Sequence, residues 1–213
     1  MAAIDHFMYA VPSLDDGIAW ATETFDAAPA YGGEHVGLGT RNALLSLGET
    51  YLEIIAPDPA QKLDGTMGGR FAAMQNGGLV TWAARGDLQQ VAAKLQTHNI
   101  QCRGPTRTER NTASGELLVW ELLFPAASQF GSRMPFFIDW LACPHPATTN
   151  PLGGTFKQLS LSLPEPGALQ SVLDDLSLPL VVQQGEPGLS LSINTEKGEV
   201  QLVSTAETTH LGF

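Results

Sequence analysis

Glu53 lies within TYLEII, where an ionisable side chain interrupts what otherwise reads as an apolar strand. A carboxylate buried there without a partner costs several kcal/mol, so the sequence calls for donors nearby. The stretch GGEHVGLGTRN, Gly32 to Asn42, precedes it and carries His35, Thr40 and Asn42. Its glycines suit turns, while its His, Thr and Asn suit hydrogen bonds to a ligand, so the stretch reads both as a hairpin and as one wall of a site. RGPTRTER gathers Arg103, Arg107 and Arg110, three of the eleven basic residues. Guanidinium groups can fork around a ligand carboxylate; charged side chains on a strand edge equally discourage edge pairing. Trp120 and Trp140 offer aromatic walls for a small organic ligand, or packing against a helix. The chain has no GxSxG, Walker or GxGxxG motif, and GLGT at 37 to 40 lacks the strand-to-helix setting of a phosphate loop.

The elements that must position these residues repeat along the chain. Ile4 to Val11 reads as a strand, Ser13 as an N-cap, and Leu14, Ile18, Ala21 and Phe25 as one face of a helix. Strand-like runs follow at 31 to 36, 41 to 47 and 51 to 56, which makes the unit βαβββ. The order recurs from Leu79, with Asp87 as N-cap, Leu88, Val91, Ala92 and Leu95 on a helix face, and strands near 100 to 106, 117 to 124 and 135 to 142. A shorter third unit starts at Phe156, with Pro166 opening its helix, and its strands carry no His. The predicted organisation is module 1 at 1 to 58, a long connection at 59 to 78, module 2 at 79 to 142, a linker at 143 to 155 and module 3 at 156 to 213. The Gly- and Pro-rich connection is longer than usual in a compact domain and reads as a lid or a crossover.

Twenty-two acidic against eleven basic residues give a net charge of −11, which repels nucleic acid and anionic membranes. With no apolar span and no leader pattern, the expectation is a soluble cytoplasmic protein with neither nucleic acid nor membrane as partner. Cys102 and Cys143 are far apart without CxxC spacing and read as two free thiols.

Three tandem βαβββ units resemble the vicinal oxygen chelate superfamily, and the wording is closest to its glyoxalase-like branch. The likeness is carried by DHFMYAVPSLDDGIAW, by GGEHVGLGTRNALLSLGETYLEIIAPD, and by ELLVWELLFP with PFFIDW. It implies an α+β fold in which modules 1 and 2 pair into a cup-shaped sheet, with the helices outside. Module 3 then either covers the pair or supplies the surface of a homodimer. It further implies that first and last strands place His, Glu or Gln around a divalent metal that holds neighbouring substrate oxygens.

Carried onto this chain, the resemblance assigns His6, Glu53 and Asp139 to the metal, with His35 as the alternative to Asp139. Module 2 departs from the pattern: Val80 falls opposite His6. Asp139 has two further readings, a strand-end cap or a partner of Arg133. Glu53 and His35 are the expected proton-moving groups, and Thr40, Asn42, Arg110, Trp120 and Trp140 the expected substrate contacts. The implied function is binding, with transformation, of a small oxygenated and anionic metabolite by lyase, isomerase or dioxygenase-like chemistry. The alternative is a metal-free sequestering protein of the resistance type. His98, His145 and His210 are assigned no chemistry.

Overall fold

The structure, a computed structural model, describes residues 2–111 and 117–209, without the side chains of Arg110 and Asn111. Eight strands form one curled sheet. The first half comprises β1 (Ala3–Ala10), β2 (Ala30–His35), β3 (Thr40–Ser46) and β4 (Tyr51–Pro57). The second comprises β5 (Gly78–Arg85), β6 (Cys102–Asn111), β7 (Leu117–Pro125) and β8 (Phe136–Asp139), in the sheet order β2-β3-β4-β1-β5-β8-β7-β6. In each half the first strand runs parallel to the last, β1 with β4 and β5 with β8, and the halves meet where β1 and β5 pair antiparallel. The arrangement is the α+β cup expected from two βαβββ modules.

Strand alternation separates the two faces of this sheet. On β1, Phe7 points outward into the main core, while His6 and Met8 face the cup. On β4, Leu52 and Ile54 point outward, while Tyr51, Glu53 and Ile55 face the cup. Helices cover the outside. Helix α1 (Leu14–Phe25) begins where the Ser13 side chain accepts from the Asp16 N–H, and it buries Leu14, Gly17, Ala21 and Phe25. Helix α3 (Leu88–Thr97) begins where Asp87 accepts from Gln89 and Gln90 N–H, and it buries Leu88, Val91 and Leu95. Full burial of each such Leu or Phe contributes roughly 1.5–3 kcal/mol.

The long connection contains α2 (Met67–Ala72). It is a packed crossover. The Asp58 N–H donates to Gly39 O and the Gly68 N–H to Leu38 O, tying the segment to the tip of the β2–β3 hairpin. The approach is so close that a Cβ on Gly68 would lie 1.7 Å from Gly39 O, which only glycine permits. Gly37 and Gly39 take φ of 83° and 67° in that tip, the turn role expected of them.

The third unit comprises β9 (Thr155–Leu163), α4 (Gly167–Asp175), β10 (Val182–Gln184), β11 (Gly188–Thr195) and β12 (Gly198–Val203). Its strands form a separate four-stranded sheet in the order β10-β9-β11-β12. Leu159, Leu161, Leu189, Leu191 and Ile193 on its apolar face join the same core as the outside of the large sheet, with the Phe156 ring 5.1 Å from that of Phe7. This unit covers the large sheet from behind. No helix among the described residues is long and apolar enough to cross a membrane.

Candidate functional site

The cup encloses a cavity of about 680 Å³, within the range that accepts a drug-sized organic molecule. Its two halves differ in chemistry. Module 2 contributes Trp120, Leu122, Phe124, Phe136, Ile138 and Trp140, an apolar and largely aromatic wall. Module 1 contributes His6, Asn42 and Glu53 at the floor, with His35 and Thr40 toward the hairpin. Arg103, Thr106, Thr108, Glu34 and Glu109 also line the cavity, and the Arg103 guanidinium lies 5.2 Å from the centre of the Phe124 ring.

Strand register explains why His6 and Glu53 meet. In the parallel β1–β4 pair, His6 is opposite Tyr51 and Met8 opposite Glu53, so the two ionisable side chains lie diagonally on one face. His6 Nε2 is 3.5 Å from Glu53 Oε2. The Tyr51 ring stacks on the imidazole with centroids 4.5 Å apart, and Phe136 meets its edge at 5.4 Å. Both His6 and Glu53 are buried, at 3% and 6% exposure, so the polarity of every contact matters.

That polarity follows from the donors. Asp5 is fully buried. Burial opposes its ionisation, but hydrogen bonds from His145 and His6, with attraction to the charged forms of both rings, hold its carboxyl well below the usual range. An ionised Asp5 only accepts, so His6 Nδ1, 2.7 Å from Asp5 Oδ1, carries a proton. His6 Nε2 is therefore the ring nitrogen turned to Glu53.

At the other Glu53 oxygen, Asn42 Nδ2 donates to Oε1 at 2.6 Å and also lies 3.3 Å from His35 Nε2. His35 Nε2 also lies 3.7 Å from Glu53 Oε1, and His35 Nδ1 is 2.9 Å from Thr40 Oγ1. Glu53 thus has one oxygen clamped by Asn42 and the other facing a ring nitrogen. His6 Nε2 and Glu53 Oε2 lie 3.5 Å apart, and a proton or a ligand donor in that gap satisfies both. His35 supports the clamp through both of its nitrogens.

The expected site residues divide accordingly. His6, His35, Thr40, Asn42, Glu53, Trp120 and Trp140 all line the cup. Asp139 does not. On β8, Phe136 and Ile138 face the cup, and Asp139 lies on a separate outer cleft, with Oδ1 accepting from the Leu141 N–H at 2.9 Å. Successive strand residues point to opposite faces, so Asp139, next to cup-facing Ile138, turns away from the cup. Arg133 is not its partner either; it donates to Thr209 Oγ1 at 2.8 Å. Of the arginine cluster, Arg103 lines the cavity, whereas the side chain of Arg110 lies outside the described residues.

A resident divalent ion does not fit this donor set. Among the described residues no three His, Cys, Asp or Glu side chains converge as ligands. Val80, the module 2 counterpart of His6, sits in the apolar cluster on the cup side and supplies no ligand. Three functional neighbours escaped the sequence reading: Asp5, Tyr51 and His145. Asp5 adjoins His6 at a shift in the β1–β5 register. His145 comes from the linker, and its Nε2 lies 3.0 Å from Asp5 Oδ2.

With this geometry in place, comparison with known proteins is informative. A model of the glyoxalase-like domain matches residues 4–177. The chain belongs to the glyoxalase-like domain family. This agrees with the vicinal oxygen chelate resemblance. Among solved structures, the glyoxalase-like chain is similar to a hypothetical protein from Staphylococcus aureus, at 17% identity and TM-score 0.67, covering 95% of this chain and 85% of that one. That likeness concerns the fold. Methylmalonyl-CoA epimerase from Mycobacterium tuberculosis matches at 19% identity and TM-score 0.49, covering 63% of this chain and 85% of the epimerase. No curated protein sequence matches.

Proposed function

We propose that this glyoxalase-like protein is a proton-transferring isomerase for a small molecule with an apolar, aromatic body and two neighbouring oxygens, a carbonyl beside a hydroxyl. The observation that carries the reading is the close approach of Glu53 Oε2 and His6 Nε2, 3.5 Å apart, in a cavity faced by the largely aromatic wall of module 2. Buried acceptors are costly without a donor, and a ligand hydroxyl supplies one.

In the reaction, Glu53 Oε2 takes the proton from the carbon bearing the hydroxyl, and the C–H electron pair becomes the carbon–carbon double bond of an enediolate. His6 Nε2 accepts the hydroxyl proton and returns it to the other oxygen. While protonated, the ring is held by Asp5 Oδ1 and stabilises the oxyanion beside it. Return of the proton from Glu53 to the second carbon completes the isomerisation. The step needs no metal. The aromatic wall excludes water, and Arg103 offers a place at the mouth for an anionic substituent.

Benzoin, an α-hydroxyketone with two aromatic rings, is a suitable probe. In D₂O the wild-type protein is expected to exchange its carbinol C–H for deuterium, read by proton NMR, and Glu53→Gln to lose that exchange. Equal exchange rates in the two proteins would sink the reading. A second reading, sequestration without turnover, is favoured by the apolar composition of the module 2 wall. It is the outcome if benzoin quenches tryptophan fluorescence saturably but exchanges no deuterium.

A further inference from the structure

Asp5 is held from two sides. Toward the cup, its Oδ1 accepts from His6 Nδ1. Among the described residues, its other side-chain contacts are with donors or cations. The Trp140 indole N–H lies 3.2 Å from Oδ2 and 3.4 Å from Oδ1. His145 Nε2 is 3.0 Å from Oδ2, and Arg85 is 3.8 Å from the same atom.

The tautomer of His145 is fixed by its own neighbours. The Ala147 N–H donates to Nδ1 at 3.2 Å, capping the short 3-10 turn Pro146–Thr148. Nδ1 therefore accepts, and the ring proton must reside on Nε2, where it points at Asp5. Arg85 also lies 3.2 Å from that nitrogen, but a protonated Nε2 cannot accept from it, so Arg85 acts there through its charge. Tyr51 meets His145 edge-on, and Glu49 and Asp139 line the outer cleft beside it.

We propose that Asp5 is a positioning residue whose polarity is imposed by His145 and by the Trp140 indole N–H. In this arrangement His6 keeps its proton on Nδ1 and turns Nε2 to Glu53. The segment after module 2 thereby becomes part of the module 1 site: its His145 packs against Tyr51 and Trp140, reaches Asp5, and sets which nitrogen of His6 enters the cavity. This inference rests on the proposed role of His6 as proton carrier, but it concerns a property of the ligand-free protein.

The same donors dictate the result of replacing the carboxylate by an amide. In Asp5→Asn, the amide oxygen must face Trp140 and His145, since its NH₂ would oppose their N–H groups. The NH₂ is then left facing His6 Nδ1, which must accept. The proton moves to Nε2 and points at Glu53 Oε2, and the gap between them closes.

The test is long-range proton–nitrogen correlation NMR of ¹⁵N-histidine-labelled full-length protein at a pH where both rings are neutral. Expected for the wild type are His6 protonated on Nδ1 and His145 on Nε2; expected for Asp5→Asn is an inverted His6. A wild-type His6 carrying its proton on Nε2 overturns the proposal, as does an Asp5→Asn protein that keeps it on Nδ1. If Asp5→Asn does not fold, the wild-type pattern of the two rings still decides. Failure here leaves the Glu53 exchange test standing, and failure there leaves these tautomers unaffected.

Discussion

Asn42 donates through Nδ2 to Glu53 Oε1 at 2.6 Å, and this single contact fixes which oxygen of the buried carboxylate remains for chemistry. The two residues are adjacent strand neighbours: Asn42 pairs with Ile55 and Leu44 with Glu53, so their side chains lie on one face of the β3–β4 pair. Asn42→Leu should leave Oε1 buried without its donor. A loss of roughly 1–3 kcal/mol in urea unfolding is expected, the usual cost of an orphaned buried acceptor. An unchanged midpoint would show that the contact does not clamp Glu53.

Glu53→Gln should separate chemistry from stability. Its amide oxygen can accept from Asn42 while its NH₂ donates to His6 Nε2, which closes the gap between the two side chains. Deuterium exchange into benzoin should fall by about 10²-fold or more, the usual worth of a general base. The thermal midpoint should hold or rise.

The acid limb of stability has a defined sign. Asp5 has a folded-state value below its unfolded one, so its contribution is fully present above the ordinary carboxyl value of about 3.9. It is lost as pH falls from there toward the folded value. Acid unfolding of the wild type should steepen below about pH 4, and Asp5→Asn, which cannot titrate at this position, should show a shallower limb.

Chelation offers a direct check on the donor set. Dialysis against EDTA is expected to leave both the thermal midpoint and benzoin exchange unchanged. Stoichiometric zinc or manganese in untreated protein, lost in His6→Ala, would overturn the metal-free mechanism.

The aromatic wall should carry the binding of the apolar body. Trp120 is buried, and its ring lies 5.6 Å from that of Trp140. Trp120→Ala should weaken benzoin binding by roughly tenfold or more, as expected when a large aromatic contact is lost. Quenching of the remaining tryptophans provides the readout.

Much of this architecture was legible in the chain because it depends on local periodicity. The apolar runs in IDHFMYAV and TYLEII mark strands on which His6 and Glu53 stand out. Ser13 and Asp87 mark helix starts that the structure reproduces. Glu53 was conspicuous because a charge in an apolar strand demands partners. The likeness of the three units pointed to a paired-module cup.

What depends on register and on long-range return of the chain was not legible. The resemblance assigns Asp139 to the site, but in a strand of period two it faces away from the cup that its neighbour Ile138 lines. His145 appeared to be a linker residue, yet it sits on Asp5, 140 positions earlier in the chain. Its contact forms only when the segment after β8 folds back against Tyr51 and Trp140 beside the start of β1. The sequence by itself thus determined the strands, the modules and the acid at the centre of module 1. Only tertiary structure decided which donors surround Asp5 and Glu53, and hence where protons reside, because hydrogen-bond polarity at a buried site is set by neighbours that no local pattern brings together.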